Sequence, residues 1–118
     1  MTIEELARRL GYKIISGEAE RLKTTVTGVY ACDLLSHAMA KVQQGDLWVT
    51  VHTNLNVVAV ASLTDAACVL IPENIEIEQQ TIDRALDKGV VFLSCPSSSA
   101  KVCHEVLTYL KKHHEILG

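Results

Sequence analysis

Thr2 followed by Glu5 three residues on is the pattern of a helix capping box. Ile3, Leu6, Ala7 and Leu10 then recur at helical spacing until Gly11 stops the run. A short strand is expected over 12–15. Residues 16–25 mix Gly, Glu, Arg, Lys and Thr and read as an exposed connection. The apolar run 26–32 predicts the next strand, with Thr27-Gly28 marking a bulge or a close backbone approach. Asp33 is placed to cap a helix running to about 42, with Gly45 as terminator. Residues 47–51 predict a strand and 55–66 a helix by length and alanine content. Only Asn56, Ser62, Thr64 and Asp65 are polar in that helix. A helix apolar on most sides buries more than one face, so one face is expected in a subunit contact. Residues 67–71 are wholly apolar, the mark of a parallel strand covered on both faces, and Pro72-Glu73-Asn74 ends them. A helix over 79–88 should turn Ile82, Ala85 and Leu86 inward and end at Gly89. A strand over 90–93 follows, and after Pro96 and three serines a last helix should bury Val102, Cys103, Val106, Leu107 and Leu110.

The predicted order is α-β-β-α-β-α-β-α-β-α. Alternation over 46–113 demands an α/β domain with a largely parallel sheet and helices on both faces. With no helix expected between the first two strands, those two are expected to pair antiparallel and make the sheet mixed. The whole of 1–118 reads as one domain, since domains are usually about 100–150 residues.

Composition narrows the function. The apolar fraction is 48%, enough for a core, with aromatics at only 4%, so that core is aliphatic. Net charge is −3, which argues against nucleic acid or an acidic membrane as partner. The stretch 47–63 is interrupted by Thr50, His52, Thr53, Asn54 and Asn56 and cannot be a membrane span. The first residues, Met-Thr-Ile-Glu-Glu, lack a signal-peptide apolar segment, so a cytoplasmic protein is expected. Cys32, Cys68, Cys95 and Cys103 form no C-x-x-C pair, and reduced, mostly buried thiols are expected. No metal and no cofactor are predicted.

Among phosphate motifs, neither G-x-x-x-x-G-K-[ST] nor G-x-G-x-x-G occurs. Sheets of this class bind ligands beyond the carboxyl ends of their strands, and two strand-to-helix turns there could hold an anion. One is His52-Thr53-Asn54-Leu55-Asn56, in which Thr53 or Asn54 is alternatively a plain cap. The other is Ser94-Cys95-Pro96-Ser97-Ser98-Ser99, where Cys95 near a helix start could carry a lowered pKa. C-x5-R is absent, because residue 101 is Lys, which argues against a thiol phosphatase. Asp33 belongs to the same edge, either as a cap or as a functional acid. Trp48, in a strand, reads as core or interface.

Two segments resemble DRTGG-domain proteins: Thr27-Gly28-Val29-Tyr30-Ala31-Cys32-Asp33-Leu34-Leu35-Ser36, and Gly45-Asp46-Leu47-Trp48-Val49-Thr50-Val51 with the apolar helix after it. Ile71-Pro72-Glu73 and Gly89-Val90-Val91-Phe92-Leu93-Ser94-Cys95-Pro96 fit the later strands, so the resemblance spans about residues 12–110. It implies the fold of the N-terminal domain of HPr kinase/phosphorylase: three α/β/α layers around a mixed five-stranded sheet. It also implies an accessory, often dimerising role. The Asp-Arg pair that many relatives place after the strand falls near Thr53 and Asn54 here. A kinase label is not expected to transfer, because the phosphate-binding loop is missing.

The expected function is therefore a non-catalytic regulatory or assembly module. It acts as a homodimer and senses a small anionic or nucleotide ligand through Asp33, His52, Thr53, Asn54, Asn56 and Ser97. Two alternatives stand beside it. One is a small phosphotransferase or hydrolase using the same edge. The other is a pure protein-interaction subunit, since compact relatives accompany redox and hydrogenase proteins.

Overall fold

The computed structural model describes residues 1–117. Its elements are α1 (Ile3–Leu10), β1 (Lys13–Ser16), α2 (Ala19–Leu22), β2 (Gly28–Ala31), α3 (Leu35–Lys41), β3 (Asp46–Val49), α4 (Leu55–Thr64), β4 (Cys68–Ile71), α5 (Gln79–Lys88), β5 (Phe92–Ser94) and α6 (Ser99–Leu117). The sheet order is β1-β5-β4-β3-β2, with β2 to β5 mutually parallel and β1 antiparallel on the outside of β5. This is the expected mixed five-stranded sheet, but the first two strands do not pair; they lie at opposite edges. The 16–25 connection also contains the single turn α2. That turn is anchored from outside, because Thr24 O accepts the Ile3 N–H at 3.0 Å.

Strands β2 to β5 march in one direction across the sheet, so right-handed crossovers drop all three intervening helices onto one face. Period-2 alternation then sorts the strand side chains between two cores. Trp48, Val69, Ile71 and Phe92 face α3, α4 and α5, packing with Ala38, Val57, Val58, Val60, Ala61 and Ala85. Leu47, Val49, Cys68, Leu70 and Leu93 face α1 and α6, packing with Ile3, Leu6, Val102 and Val106. Trp48 is fully buried, as expected of a core residue, and its indole N–H donates to Cys32 O at 2.9 Å.

The capping box forms. Glu5 N–H donates to the Thr2 hydroxyl at 3.2 Å, and that hydroxyl and the Thr2 N–H bond the Glu5 carboxylate in return. The Thr2 side chain foremost, then its backbone, holds Glu5 below the usual carboxylate range. Gly28 shows the predicted close approach: a Cβ there would lie 2.7 Å from Asp46 Oδ1. Two inward placements need correction and two others are met only in part. Leu86 and Leu107 are 48% and 55% exposed, because each lies just outside the apolar stripe of its helix, and Ile82 and Cys103 are only half-buried.

Candidate functional site

Asp33 does not cap α3. The cap position is Leu34, without a side-chain bond. The Asp33 carboxylate instead reaches sideways to the end of β3, where Oδ1 accepts from the Thr50 hydroxyl and from the Val51 N–H, each at 3.0 Å. Thr50 is fully buried, and its Oγ1 accepts from His52 N–H at 3.3 Å. One carboxylate thereby ties the exit of β2 to the exit of β3.

The next turn is occupied in the same way. Asn54 is the cap of α4, its Oδ1 accepting from Asn56 N–H at 2.9 Å. The carbonyl of Thr53 accepts from the hydroxyl of buried Thr81 on α5 at 2.7 Å. Of the sequence-predicted residues, Asp33, Asn54 and Asn56 are exposed, and His52, Thr53 and Ser97 are half-buried.

Ser97 lies away from this group, beyond β5, with β4 and β3 intervening before β2. Between β4 and β5 the outgoing loops leave toward opposite faces, one to α5 and one to α6. That is the position where α/β sheets open a ligand crevice. Here the crevice is sewn shut: Glu73 N–H donates to Ser97 O and Asn74 N–H to Cys95 O, both at 2.9 Å. Glu73 and Asn74 adopt positive φ, 57° and 54°, to make these bonds. Cys95 is buried rather than activated. Burial above all pushes its thiol pKa up, and its Sγ points toward Ser97 O at 3.9 Å. The sequence-based expectation of a lowered pKa there is thus reversed, since a thiol enclosed by apolar groups loses more from desolvation than it gains from the helix start.

The opposite edge is different. Where β2, β3 and β4 begin, a cleft of about 410 Å³ is lined by Arg21, Thr24, Thr27, Gln44, Asp65 and Gly89, among others. Its wall is stitched by Thr27 N–H to Gly45 O at 2.9 Å, Gly45 N–H to Asp65 O at 3.2 Å and Ala67 N–H to Asp46 O at 2.8 Å. Two glycines make room for the polar side chains. A Cβ on Gly45 (φ +86°) would meet Thr27 Oγ1 at 2.4 Å, and one on Gly89 (φ +68°) would meet Arg21 Nε at 2.9 Å. No sequence motif marks these cleft residues as a site. The signal available was indirect: Gly45 and Gly89 were legible as helix terminators, and terminators in a parallel sheet gather at this edge.

Among the described residues, no group of three or more His, Cys, Asp or Glu could hold a metal ion. No described helix is long and apolar enough to cross a membrane.

An α/β/α sandwich with a one-directional parallel core and an antiparallel edge strand is thus the class. The chain belongs to the DRTGG domain family, which matches residues 5–108, in agreement with the resemblance read from its segments. A similar solved structure comprises the CBS and DRTGG domains of the regulatory region of Clostridium perfringens pyrophosphatase, complexed with the activator diadenosine tetraphosphate. The TM-score is 0.69 at 11% identity, over 85% of this chain and 43% of that one. This chain therefore spans less than half of that chain, and the likeness is one of fold. No curated protein matches the sequence.

Proposed function

We propose that this chain is a non-catalytic regulatory module that works as a homodimer, with the outer face of the α3–α4 layer in the contact. The observation that carries this reading is α4 itself. It is apolar on nearly every side, yet the fold covers only Val57, Val58, Val60 and Ala61. Leu63 is left 74% exposed and Ala59 exposed beside it, while Leu34 and Met39 of the neighbouring segment are 66% and 41% exposed. A helix apolar all round belongs in a buried position, and a second copy related by a twofold axis is the commonest way to supply the cover.

Residues 1–118 act as one domain in this reading, in the cytoplasm, where four unpaired thiols stay reduced. Asp33, His52, Thr53, Asn54 and Asn56 lie beside the exposed Leu34 and Val51, with Ser97 apart beyond β5, and we assign that edge to the partner rather than to chemistry. Family membership and a neighbour that is a regulatory region in complex with a nucleotide activator support a small anionic or nucleotide signal.

Sedimentation equilibrium at micromolar concentration tests the assembly. The expected mass is about twice 12.9 kDa, and Leu63→Glu, at an exposed site that the fold does not need, should return it to the monomer value. A wild-type monomer that gains no mass on concentration would overturn the reading.

A further inference from the structure

We infer that the cleft at the amino edge of the sheet binds a phosphorylated sugar, with the phosphate on Arg21 and sugar hydroxyls on Asp65 and the threonines. The inference rests on the reading above in taking the signal to be a small molecule; the site itself, and the class of ligand, go beyond it.

The volume of about 410 Å³ lies in the range of small-molecule sites. Its lining is unlike an apolar drug pocket. Arg21, with its planar guanidinium fork, the hydroxyl-bearing Thr24, Thr25 and Thr27, the amide residue Gln44 and the carboxylate residue Asp65 line the same cleft. A guanidinium matches phosphate oxygens two at a time. A carboxylate accepts from paired hydroxyls, as acidic residues do from ribose in dinucleotide sites. Threonine hydroxyls and an amide can donate or accept, so they suit a polyol.

Electrostatics narrows the class further. Helices α3, α4 and α5 all end at this edge, with C-caps at Val42, Asp65 and Gly89. Their carbonyl ends carry partial negative charge, and Asp65 adds a full one. A bare anion would have only Arg21 against that field. A ligand that couples one phosphate to several hydroxyl donors satisfies both halves of the cleft.

The site is also built rather than incidental. Glycine at 45 and 89 keeps clear the space that Thr27 Oγ1 and the Arg21 guanidinium occupy. The segment that carries Arg21 is fixed by Thr24 O accepting from α1 and by Val26 N–H donating to Met1 O at 2.8 Å.

Isothermal titration of the full chain with ribose 5-phosphate, AMP and inorganic phosphate tests this, with wild type, Arg21→Gln and Asp65→Asn. Arg21 and Asp65 are exposed, and asparagine tolerates the left-handed backbone of residue 65 (φ 59°), so both variants should fold. Binding of ribose 5-phosphate, weakened about tenfold or more in each variant and at least tenfold weaker for inorganic phosphate, is the expected result. Equal affinities for ribose 5-phosphate and AMP place recognition on the shared sugar phosphate; tighter AMP adds a contact to the base. If Arg21 merely completes the end of α5, Arg21→Gln lowers the melting temperature and leaves ligand affinity unchanged, which overturns the inference. Loss of binding in Asp33→Asn, with Arg21→Gln and Asp65→Asn unaffected, would move the ligand to the carboxyl edge and overturn it equally. A dimer that binds none of the three ligands would remove the cleft site and leave the homodimer standing.

Discussion

The two edges of the sheet contrast in what their polar groups are used for. At the carboxyl edge the polar side chains are dense in sequence, and Asp33, Thr50 and Asn54 among them are consumed by backbone. Asp33 holds the Val51 N–H, Asn54 holds Asn56 N–H, and Thr81 holds the Thr53 carbonyl. At the amino edge the polar side chains come from positions as far apart as 21 and 65, and they line an open cleft. The difference teaches that polar density along a chain marks where backbone must be satisfied as readily as where a ligand sits. Topology explains the assignment. A sheet whose strands advance in one direction has no central reversal, and the one divergence of loops, between β4 and β5, is closed by two backbone bonds.

The largest effect that would break this contrast is expected at the amino edge. Gly45→Ala puts a Cβ 2.4 Å from Thr27 Oγ1 on a backbone with φ +86°, so strain and overlap act together. We expect a loss of about 2–4 kcal/mol in urea unfolding. A neutral substitution would mean that the cleft wall is pliable and that its shape carries no information.

The carboxyl edge should respond more modestly and for a different reason. Asp33→Ala deletes the acceptor of two hydrogen bonds, one from buried Thr50. The expected cost is about 1–2 kcal/mol, held down because the carboxylate is exposed. Asp33→Asn keeps an acceptor oxygen and should recover part of the loss. Full stability in Asp33→Ala would free this residue for a functional role and erase the distinction between the edges.

A smaller effect sharpens the same point at Cys95. A reactive thiol would mark the β5 exit as a chemical site; a buried one marks it as structure. Burial pushes Cys95, Cys68 and Cys103 upward from the ordinary thiol value. Groups with a raised folded pKa stabilise below their unfolded value, near 8.5 for cysteine, and that contribution fades as pH rises above it. Stability should therefore decline as pH rises above about 8.5, and at pH 7 Cys95 should react with a thiol reagent far more slowly in the native protein than in urea. Rapid native labelling of Cys95 at neutral pH would contradict its structural assignment.

How much of this was legible in the sequence divides along physical lines. The bounds of α5 are readable to the residue, since its periodicity and its Gly89 terminator are local signals, whereas Leu86 falls outside the buried face. The alternation of apolar strands and helices specified the layers. Partnering across the sheet is not local: nothing in residues 13–16 announces β5 as their neighbour, so the chain pattern points to β2 where the structure has β5. Asp33 was placed correctly at the carboxyl edge but given the wrong partner, because its acceptor bonds reach 17 and 18 residues along the chain rather than into its own helix. The single turn at Ala19–Leu22 was missed because four residues carry no periodicity and the turn is held by contacts from α1. The cleft was unreadable for the same reason, as Arg21, Gln44 and Asp65 meet only once the sheet has formed.

The most direct test of the contrast is an amide-resolved NMR titration of the full chain with AMP. Shift changes concentrated on Thr24, Thr25, Thr27, Gly45, Asp65 and Gly89 are the predicted result, with the amides of 33 and 51–56 unmoved. Changes concentrated on 33, 51–56 and 97 instead would contradict the account and return the ligand to the edge that the sequence suggested.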